Sequence, residues 1–212
     1  MKPLVGKAIL AAIPIKPFGV AKARLAGKLD AASRSRLGKA VAGRTAAAAT
    51  DTGALVAIVT GDPDVASWAR TSGYLTIDER DSPQGGLNGA AEAVIFEAAR
   101  RQRVWAIIHA DLPLITPAAL TPVFAAAERE LILVPSHDGG TNVIAGHHTS
   151  FRFAYGPASF HTHMAYYPHA RVMQNPQLAL DLDTEADLIR AVRHPDGRWL
   201  AKLVNLGAGT AI

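Results

Sequence analysis

The chain contains no cysteine. That absence removes disulfide frameworks and thiolate metal sites, and makes a reducing cytoplasm the expected compartment. Aromatic residues make up only 6% of the sequence. Among the N-terminal charges only Phe18 offers a stacking surface, so nucleic acid is not an expected partner. No apolar run approaches the roughly 20 residues that a membrane-spanning helix requires. The longest early run, residues 8–15, is preceded only by Lys2 and Lys7 and followed by no small-residue cleavage pattern. Neither a membrane anchor nor a signal peptide is expected. Also missing are a Walker loop, a G-x-G-x-x-G fingerprint and a G-x-S-x-G elbow, which removes the signatures of P-loop hydrolysis, dinucleotide binding and α/β-hydrolase chemistry.

What is present is a globular composition with a lopsided charge. Hydrophobic residues account for 49% and charged residues for 19% of 212 positions, enough for one compact domain spanning 1–212. The net charge of +4 conceals a basic first quarter: ten Lys and Arg stand against Asp30 alone before residue 51, while the remainder is net acidic. A basic end of this kind faces a polyanion. Arg34, Arg36, Lys39 and Arg44 read as the solvated face of a helix; of the other six, Lys16, Lys22 and Arg24 lie together in the loop after the first apolar run.

Apolar runs at 8–15, 55–60, 74–77, 104–109 and 131–135 read as buried strands. Between them lie helical segments at about 31–50, 63–72, 87–101 and 117–130. Continuous apolar strands alternating with helices predict a three-layer α/β architecture with a mostly parallel sheet. In such sheets ligands bind beyond the carboxyl ends of the strands, which singles out the loops after Ile15, Ile77, His109 and Pro135. The alternation fails from Ser136 to Arg171, a stretch with four glycines that reads as an inserted lid or acceptor-binding region. A strand over 178–182 and a helix from Glu185 to Val192, capped by Thr184, complete the pattern.

The loop after the first strand places Lys16, Lys22 and Arg24 where a triphosphate would need neutralising, with Gly19 allowing close backbone approach. Asp111 follows the strand at 104–109, and Asp181-Leu182-Asp183 ends the expected strand at 178–182. Mg²⁺ is usually held by one or two carboxylates plus substrate phosphates, which suits Asp111 with Asp181. If the strand continues, Asp183 points to the opposite face, and a helix-capping role competes with metal ligation there. Residues 138–142 form a loop able to present N–H groups and the Thr141 hydroxyl to an anion. Gly156-Pro157-Ala158-Ser159 precedes a short helix whose N-terminus could do the same. Two anion cradles and a basic loop exceed what one nucleotide needs, so a phosphorylated acceptor is expected too. The pairs His147-His148 and His161-x-His163 lack zinc spacing; His161 or His163 could touch an acceptor carboxylate. His109 reads as a hydrogen-bonded packing residue, and Trp68, Trp105 and Trp199 as core.

An ordered set of segments strongly resembles the 2-phospho-L-lactate (or phosphoenolpyruvate) guanylyltransferases of coenzyme F(420) biosynthesis. They are residues 13–17 (IPIKP), 21–25 (AKARL), 85–88 (GGLN), 109–113 (HADLP), 140–142 (GTN), 153–157 (FAYGP) with Ser159, and 180–184 (LDLDT). The resemblance implies a GT-A-like nucleotidyltransferase fold, Mg²⁺, and transfer of GMP from GTP to a three-carbon phospho-acid with release of pyrophosphate. It implies metal ligation by Asp111 and Asp181, with Asp183 as a further candidate, and catalytic roles for Asp111, Asp181 and Lys22. It also implies nucleotide contacts from Lys16, Lys22, Arg24, Gly86 and Asn88, and acceptor contacts from Thr141, Gly156 and Ser159. Ser136-His137-Asp138, where related sequences often carry an arginine, and the His-rich stretch after Ser159 depart from the pattern, and both flank the acceptor side.

Three rivals share some of these features. A molybdopterin guanylyltransferase or a cytidylyltransferase would carry a Gly-rich loop where this chain has Lys16-Pro17-Phe18-Gly19. A glycosyltransferase would not place its D-x-D so near the end of the chain. A non-catalytic nucleotide-binding module would leave Asp111 and Asp181 without a task. Oligomeric state, monomer or homodimer, has no signal in the sequence.

Overall fold

The computed structural model describes residues 8–20, 22–81 and 85–204. Lys2, Lys7, Ala21 and the middle of the loop expected over 81–86 lie outside the described residues. Among the described residues a seven-stranded sheet has the order β3-β2-β1-β4-β6-β5-β7. Its strands are β1 (Ile9–Pro14), β2 (Leu55–Val59), β3 (Leu75–Ile77), β4 (Val104–Ile108), β5 (Ile132–Pro135), β6 (Thr141–Gly146) and β7 (Arg171–Val172). All are parallel to β1 except β6, which runs antiparallel between β4 and β5.

Helices α1 (Ala31–Asp51), α2 (Pro63–Thr71), α3 (Gly86–Arg100) and α4 (Pro117–Ala127) fall where the sequence places them. Successive residues of a strand point to opposite faces, and β1 shows the consequence. Ile9, Ala11 and Ile13 pack with Ala42, Ala46 and Ala49 of α1, Val65 of α2 and Leu120 of α4. Leu10 and Ala12 pack with Ala91, Val94 and Ala98 of α3 and with Phe151 and Phe153. The alanine-rich faces of α1 and α3 let both helices approach the sheet closely, so it is covered on both sides.

Two expectations fail for identifiable reasons. The stretch after Ser136 is not wholly irregular, because Thr141–Gly146 is a fully buried strand. Gly139, at φ 90°, turns the chain back so that β6 pairs with both β4 and β5. Residues 178–182 are not a strand. Asn175 accepts a hydrogen bond from the Gln177 N–H, and Pro176 occupies the first turn, so Pro176–Ala179 forms a short helix, α6. Leu180 to Asp183 then run without regular structure, anchored by the Leu182 N–H donating to the Asp111 carbonyl at 3.0 Å. Helix α5 is Ser159–Tyr166, and α7 is Glu185–Arg193, capped by Thr184 in a reciprocal arrangement with Asp187. Leu25, Leu37, Leu182, Leu188 and Leu200 form a separate apolar cluster. It clamps the basic loop and the Asp181–Asp183 segment against the end of the sheet.

Candidate active site at the carboxyl edge of the sheet

The strand order reverses direction between β1 and β4, so the chain's loops diverge there and leave a crevice. A cavity of about 350 Å³ opens at this point, within the size range of small-ligand sites. Its walls include Pro14, Ile15, Lys16, Phe18 and Lys22 from the first loop, Gly38 and Ala42 from α1, and Leu87 and Ala90 from α3. His109, Ala110, Asp111, Asp183 and Glu79 complete it.

Lys22 is the centre of the charge arrangement. Its ammonium donates to Asp111 Oδ2 at 2.7 Å and to Asp183 Oδ1 at 3.3 Å. Its side chain is only 7% exposed, and its backbone has φ 59°. That left-handed conformation is uncommon for a residue with a side chain and is seen where the surroundings over-determine it. Burial pulls the Lys22 pKa down, but the charges and hydrogen bonds of Asp111 and Asp183 outweigh it and the value ends above the ordinary one. For Asp111, burial pushes the carboxyl up and Lys22 more than reverses this, leaving it below the usual carboxylate range. The pair is therefore ionised at neutral pH.

Asp183 faces Asp111 rather than away from it, contrary to the strand-based expectation. Because residues 180–183 are not a strand, alternation does not apply, and Thr184, not Asp183, caps α7. Arg24 reaches the other Asp183 oxygen at 3.6 Å while remaining largely exposed. Asp181 lies apart from this cluster, with Oδ1 3.2 Å from His137 Nδ1 and without a hydrogen-bond partner of suitable geometry. The other His137 nitrogen sits 3.2 Å from Asp187. Burial first, then the charges of Asp111 and Asp138, push the Asp181 carboxyl up to about 6.

Among the described residues no three His, Asp or Glu side chains converge as a ready-made metal cage. A divalent ion held partly by phosphates does not need one. Hard oxygens on Asp111 and Asp183, beside an Asp181 whose ionisation is penalised by their charge, are a donor set that such an ion would suit.

The remaining sequence candidates divide. Lys16 lines the cavity with its side chain exposed. Gly86 starts α3 at φ 69°, and Asn88 accepts the Tyr155 N–H at 2.8 Å, tying the crossing segment to α3. Neither lines the cavity, whereas their neighbours Leu87 and Ala90 do. Thr141 and Ser159 meet each other: Ser159 Oγ donates to Thr141 Oγ1 at 3.2 Å, and both side chains are buried. His163 joins them, with Nδ1 3.0 Å from Thr141 Oγ1 and Nε2 accepting the Ala154 N–H at 2.9 Å. Since Nε2 accepts, Nδ1 carries the proton and donates to Thr141. Burial, then the charge of nearby His109, drive its pKa down to about 4. His161 and His163 sit on α5, where residues two apart do not share a face, so His163 alone enters this knot. Gly156, at φ 151°, lies in the turn before α5.

His109 departs from expectation. It lies one residue beyond β4, its N–H donates to the Asn142 carbonyl, and its ring Nε2 is buried without a partner among the described residues. Its ring lies against Tyr155 at 5.4 Å, and burial lowers its pKa. Trp105 is core, whereas Trp68 and Trp199 are partly exposed at its margins. Glu79 and His137 were not singled out from the sequence. Both follow strand ends, so the rule that favoured Asp111 could have found them.

The chain matches the family model described as guanylyl transferase CofC like over residues 9–205. It is 35% identical over 209 residues to a phosphoenolpyruvate guanylyltransferase of Salinispora arenicola, covering 94% of each chain. It is 30% identical over 196 residues to a 2-phospho-L-lactate guanylyltransferase of Methanothermobacter thermautotrophicus, covering 88% of this chain and 85% of that one. A solved structure from Desulfovibrio desulfuricans G20, provisionally described as a nucleotide-diphospho-sugar transferase, superposes with a TM-score of 0.71 at 15% identity over 93% of this chain and 96% of that one. That likeness carries the fold, which is the α/β, GT-A-like architecture of nucleotidyltransferases. By both the family model and full-length relatives, the chain belongs to the CofC-like guanylyl transferase family.

Proposed function

We propose that the protein transfers GMP from GTP to the phosphate of a three-carbon phospho-carboxylic acid, releasing pyrophosphate, in coenzyme F(420) biosynthesis. The acceptor class comprises 2-phospho-L-lactate, phosphoenolpyruvate and 3-phosphoglycerate. The observation that carries the reading is the buried Lys22 shared between Asp111 and Asp183 at one end of a nucleotide-sized cavity. A phosphate oxygen of the acceptor attacks the α-phosphorus of GTP. The new P–O bond forms as the bond to the β-phosphate oxygen breaks, and pyrophosphate leaves opposite the attacking oxygen. The attacking oxygen is already anionic at neutral pH, so no strong general base is required.

The protein's contribution is then positioning and charge stabilisation. Lys22, with Lys16 and Arg24 on the same loop, neutralises the triphosphate as negative charge moves to the leaving group. Asp111 and Asp183, with Asp181 behind them, would hold Mg²⁺. That ion supplies Lewis-acid polarisation of the phosphoryl oxygens and a template for the in-line geometry. The knot of Thr141, Ser159 and His163 supports the acceptor side. Thr141 Oγ1 accepts from both neighbours, which leaves its own O–H proton as a donor of fixed direction.

Pyrophosphate release tests the reading, measured with each of GTP, ATP, CTP and UTP against each of the three phospho-acids in the presence of Mg²⁺. GTP-dependent release that requires one of the acids is expected. A clear preference for CTP, or release independent of every acid, overturns it.

A further inference from the structure

The charge cluster and the phosphate-facing cations occupy one end of the cavity, and the other end holds a single unexplained anion. Glu79 follows β3, which lies three strand positions away from β4 and Asp111. Its carboxylate, however, rests at the end of β2, two strand positions from β4. At about 4.8 Å per strand that is on the order of 10 Å from the charge cluster, the scale from the pairing edge of a purine nucleotide to its α-phosphate. Glu79 is half-buried, lines the cavity, and has neither a hydrogen bond nor an ion pair among the described residues. Its neighbours Asp78 and Arg80 bind each other instead, with Arg80 Nε 2.9 Å from Asp78 Oδ1. The carboxylate rests over Gly61, in the turn after β2. A Cβ at position 61 would lie 2.8 Å from Glu79 Oε1. Between Glu79 and the charge cluster the walls are mostly apolar: Pro14, Ile15 and Phe18 from the first loop, Leu87 and Ala90 from α3. A flat ring fits between such walls, with only its edge left to a polar group.

On the reading that the donor is a nucleoside triphosphate with guanine as its base, we infer that Glu79 is the residue that reads the base. Its carboxylate accepts the N1–H and the 2-amino group together. A carboxylate offers two acceptors and no donor. Guanine is the one common base with two adjacent donors on its pairing edge. Adenine and cytosine place a ring-nitrogen lone pair beside their amino group, and uracil flanks its one N–H with carbonyls. Each of these three turns a lone pair toward the Glu79 anion and leaves it unsatisfied. Sites built to hydrogen-bond a substrate discriminate strongly for that reason.

The test is the specificity constant of wild type, Glu79→Gln and Gly61→Ala with GTP, ITP and XTP, at saturating acceptor and Mg²⁺. ITP lacks the 2-amino group, and XTP carries a carbonyl in its place. Wild type should use GTP about 10- to 100-fold better than ITP, as expected for one charge-assisted hydrogen bond. A glutamine amide offers one acceptor for N1–H and one donor for the xanthine carbonyl. Glu79→Gln should therefore lose most of the GTP preference and gain activity with XTP relative to GTP. Gly61→Ala pushes the carboxylate aside without removing it, and should narrow the GTP-to-ITP ratio in a protein that still carries Glu79. A gain with XTP cannot arise from a merely loosened fold. If wild type prefers GTP but Glu79→Gln keeps the GTP-to-ITP ratio and gains nothing with XTP, the assignment of Glu79 fails while the guanylyl-transfer reading stands. Equal use of GTP and ITP by wild type overturns the Glu79 assignment alone, and no preference for GTP over ATP, CTP and UTP overturns both.

Discussion

The Lys22 ammonium lies 2.7 Å from Asp111 although 89 positions separate them in the chain, and the contact joins the loop after β1 to the loop after β4. The two strands are neighbours in the sheet, so a bond between their loops closes the floor of the cavity at the switch point. The same lysine reaches Asp183, which brings the late Asp181–Asp183 segment to the same place.

Replacing Asp111 by Asn keeps the shape and removes the charge. Turnover should fall by at least about a hundredfold, the usual consequence of losing one electrostatic group at a reacting centre. Asp183→Asn should behave similarly, because it shares Lys22 with Asp111. Steady-state kinetics at saturating Mg²⁺ checks both, and near-wild-type turnover in either variant removes that residue from the machinery.

Lys22→Met leaves two carboxylates facing each other without their cation. Breaking a fully buried pair costs roughly 3–5 kcal/mol; with Asp111 still 27% exposed, a loss of about 2–3 kcal/mol is expected. Mg²⁺ should restore more stability in this variant than in wild type, since an ion bound only by the folded state adds stability by mass action. Urea midpoints with and without Mg²⁺ measure the difference. An equal Mg²⁺ effect in both proteins counts against metal binding by Asp111 and Asp183.

His163 sets a pH limit on stability. Its pKa falls from 6.5 to about 4 on folding, so between those values the unfolded chain binds the extra proton and the folded protein does not. Unfolding free energy should rise with pH from about 4 to 6.5 and level off above, with His163 contributing on the order of 3 kcal/mol across the window. His109, also lowered by burial, adds in the same direction. In His163→Gln the slope of the urea midpoint against pH should flatten. An unchanged slope means that His163 is not the titrating group.

Thr141→Val removes the hydroxyl that receives Ser159 and His163, and Ser159→Ala removes one donor to it. Both should raise the KM for the phospho-acid by roughly 10- to 150-fold, the worth of one charge-assisted hydrogen bond. The KM for GTP should stay nearly constant, because the proposed reading gives the nucleotide phosphates to Lys16, Lys22 and Arg24. Thr141→Val should also lower stability by about 1–3 kcal/mol, having orphaned two buried donors. Separate titrations of the two substrates decide the assignment, and a rise confined to GTP reverses the two halves of the cleft.

Gly197 is a packing constraint outside the lining of the cavity. A Cβ there would lie 2.0 Å from the Ala191 carbonyl oxygen and 2.8 Å from Leu114 Cδ2. The backbone of α7 cannot yield as a flexible side chain could. Gly197→Ala should destabilise by about 1–3 kcal/mol, read as a shift in urea midpoint, with little change in KM for either substrate.

The sequence by itself determined the parallel half of the fold and the location of the cleft. Apolar runs such as residues 104–109 leave a strand no alternative to burial on both faces, and the strand-edge rule then marks Asp111 and the Lys16–Arg24 loop. It also determined the family, because short segments kept in order along the chain are a one-dimensional signal. What only the tertiary structure decided is which groups face each other. Asp183 rather than Asp181 meets Lys22 because Asn175 and Pro176 start a helical turn where apolar spacing reads as a strand. Strand β6 is not legible in the sequence because its glycine-containing flanks resemble loops, and one of its two partner strands, β4, lies 35 or more positions back. Thr141, Ser159 and His163 form one buried knot, and Glu79 shares a cavity with Asp111. Hydrogen bonds and ion pairs act over about 3 Å of space, whatever the number of residues between the partners. Local propensity carries no record of which distant side chains the sheet will bring that close.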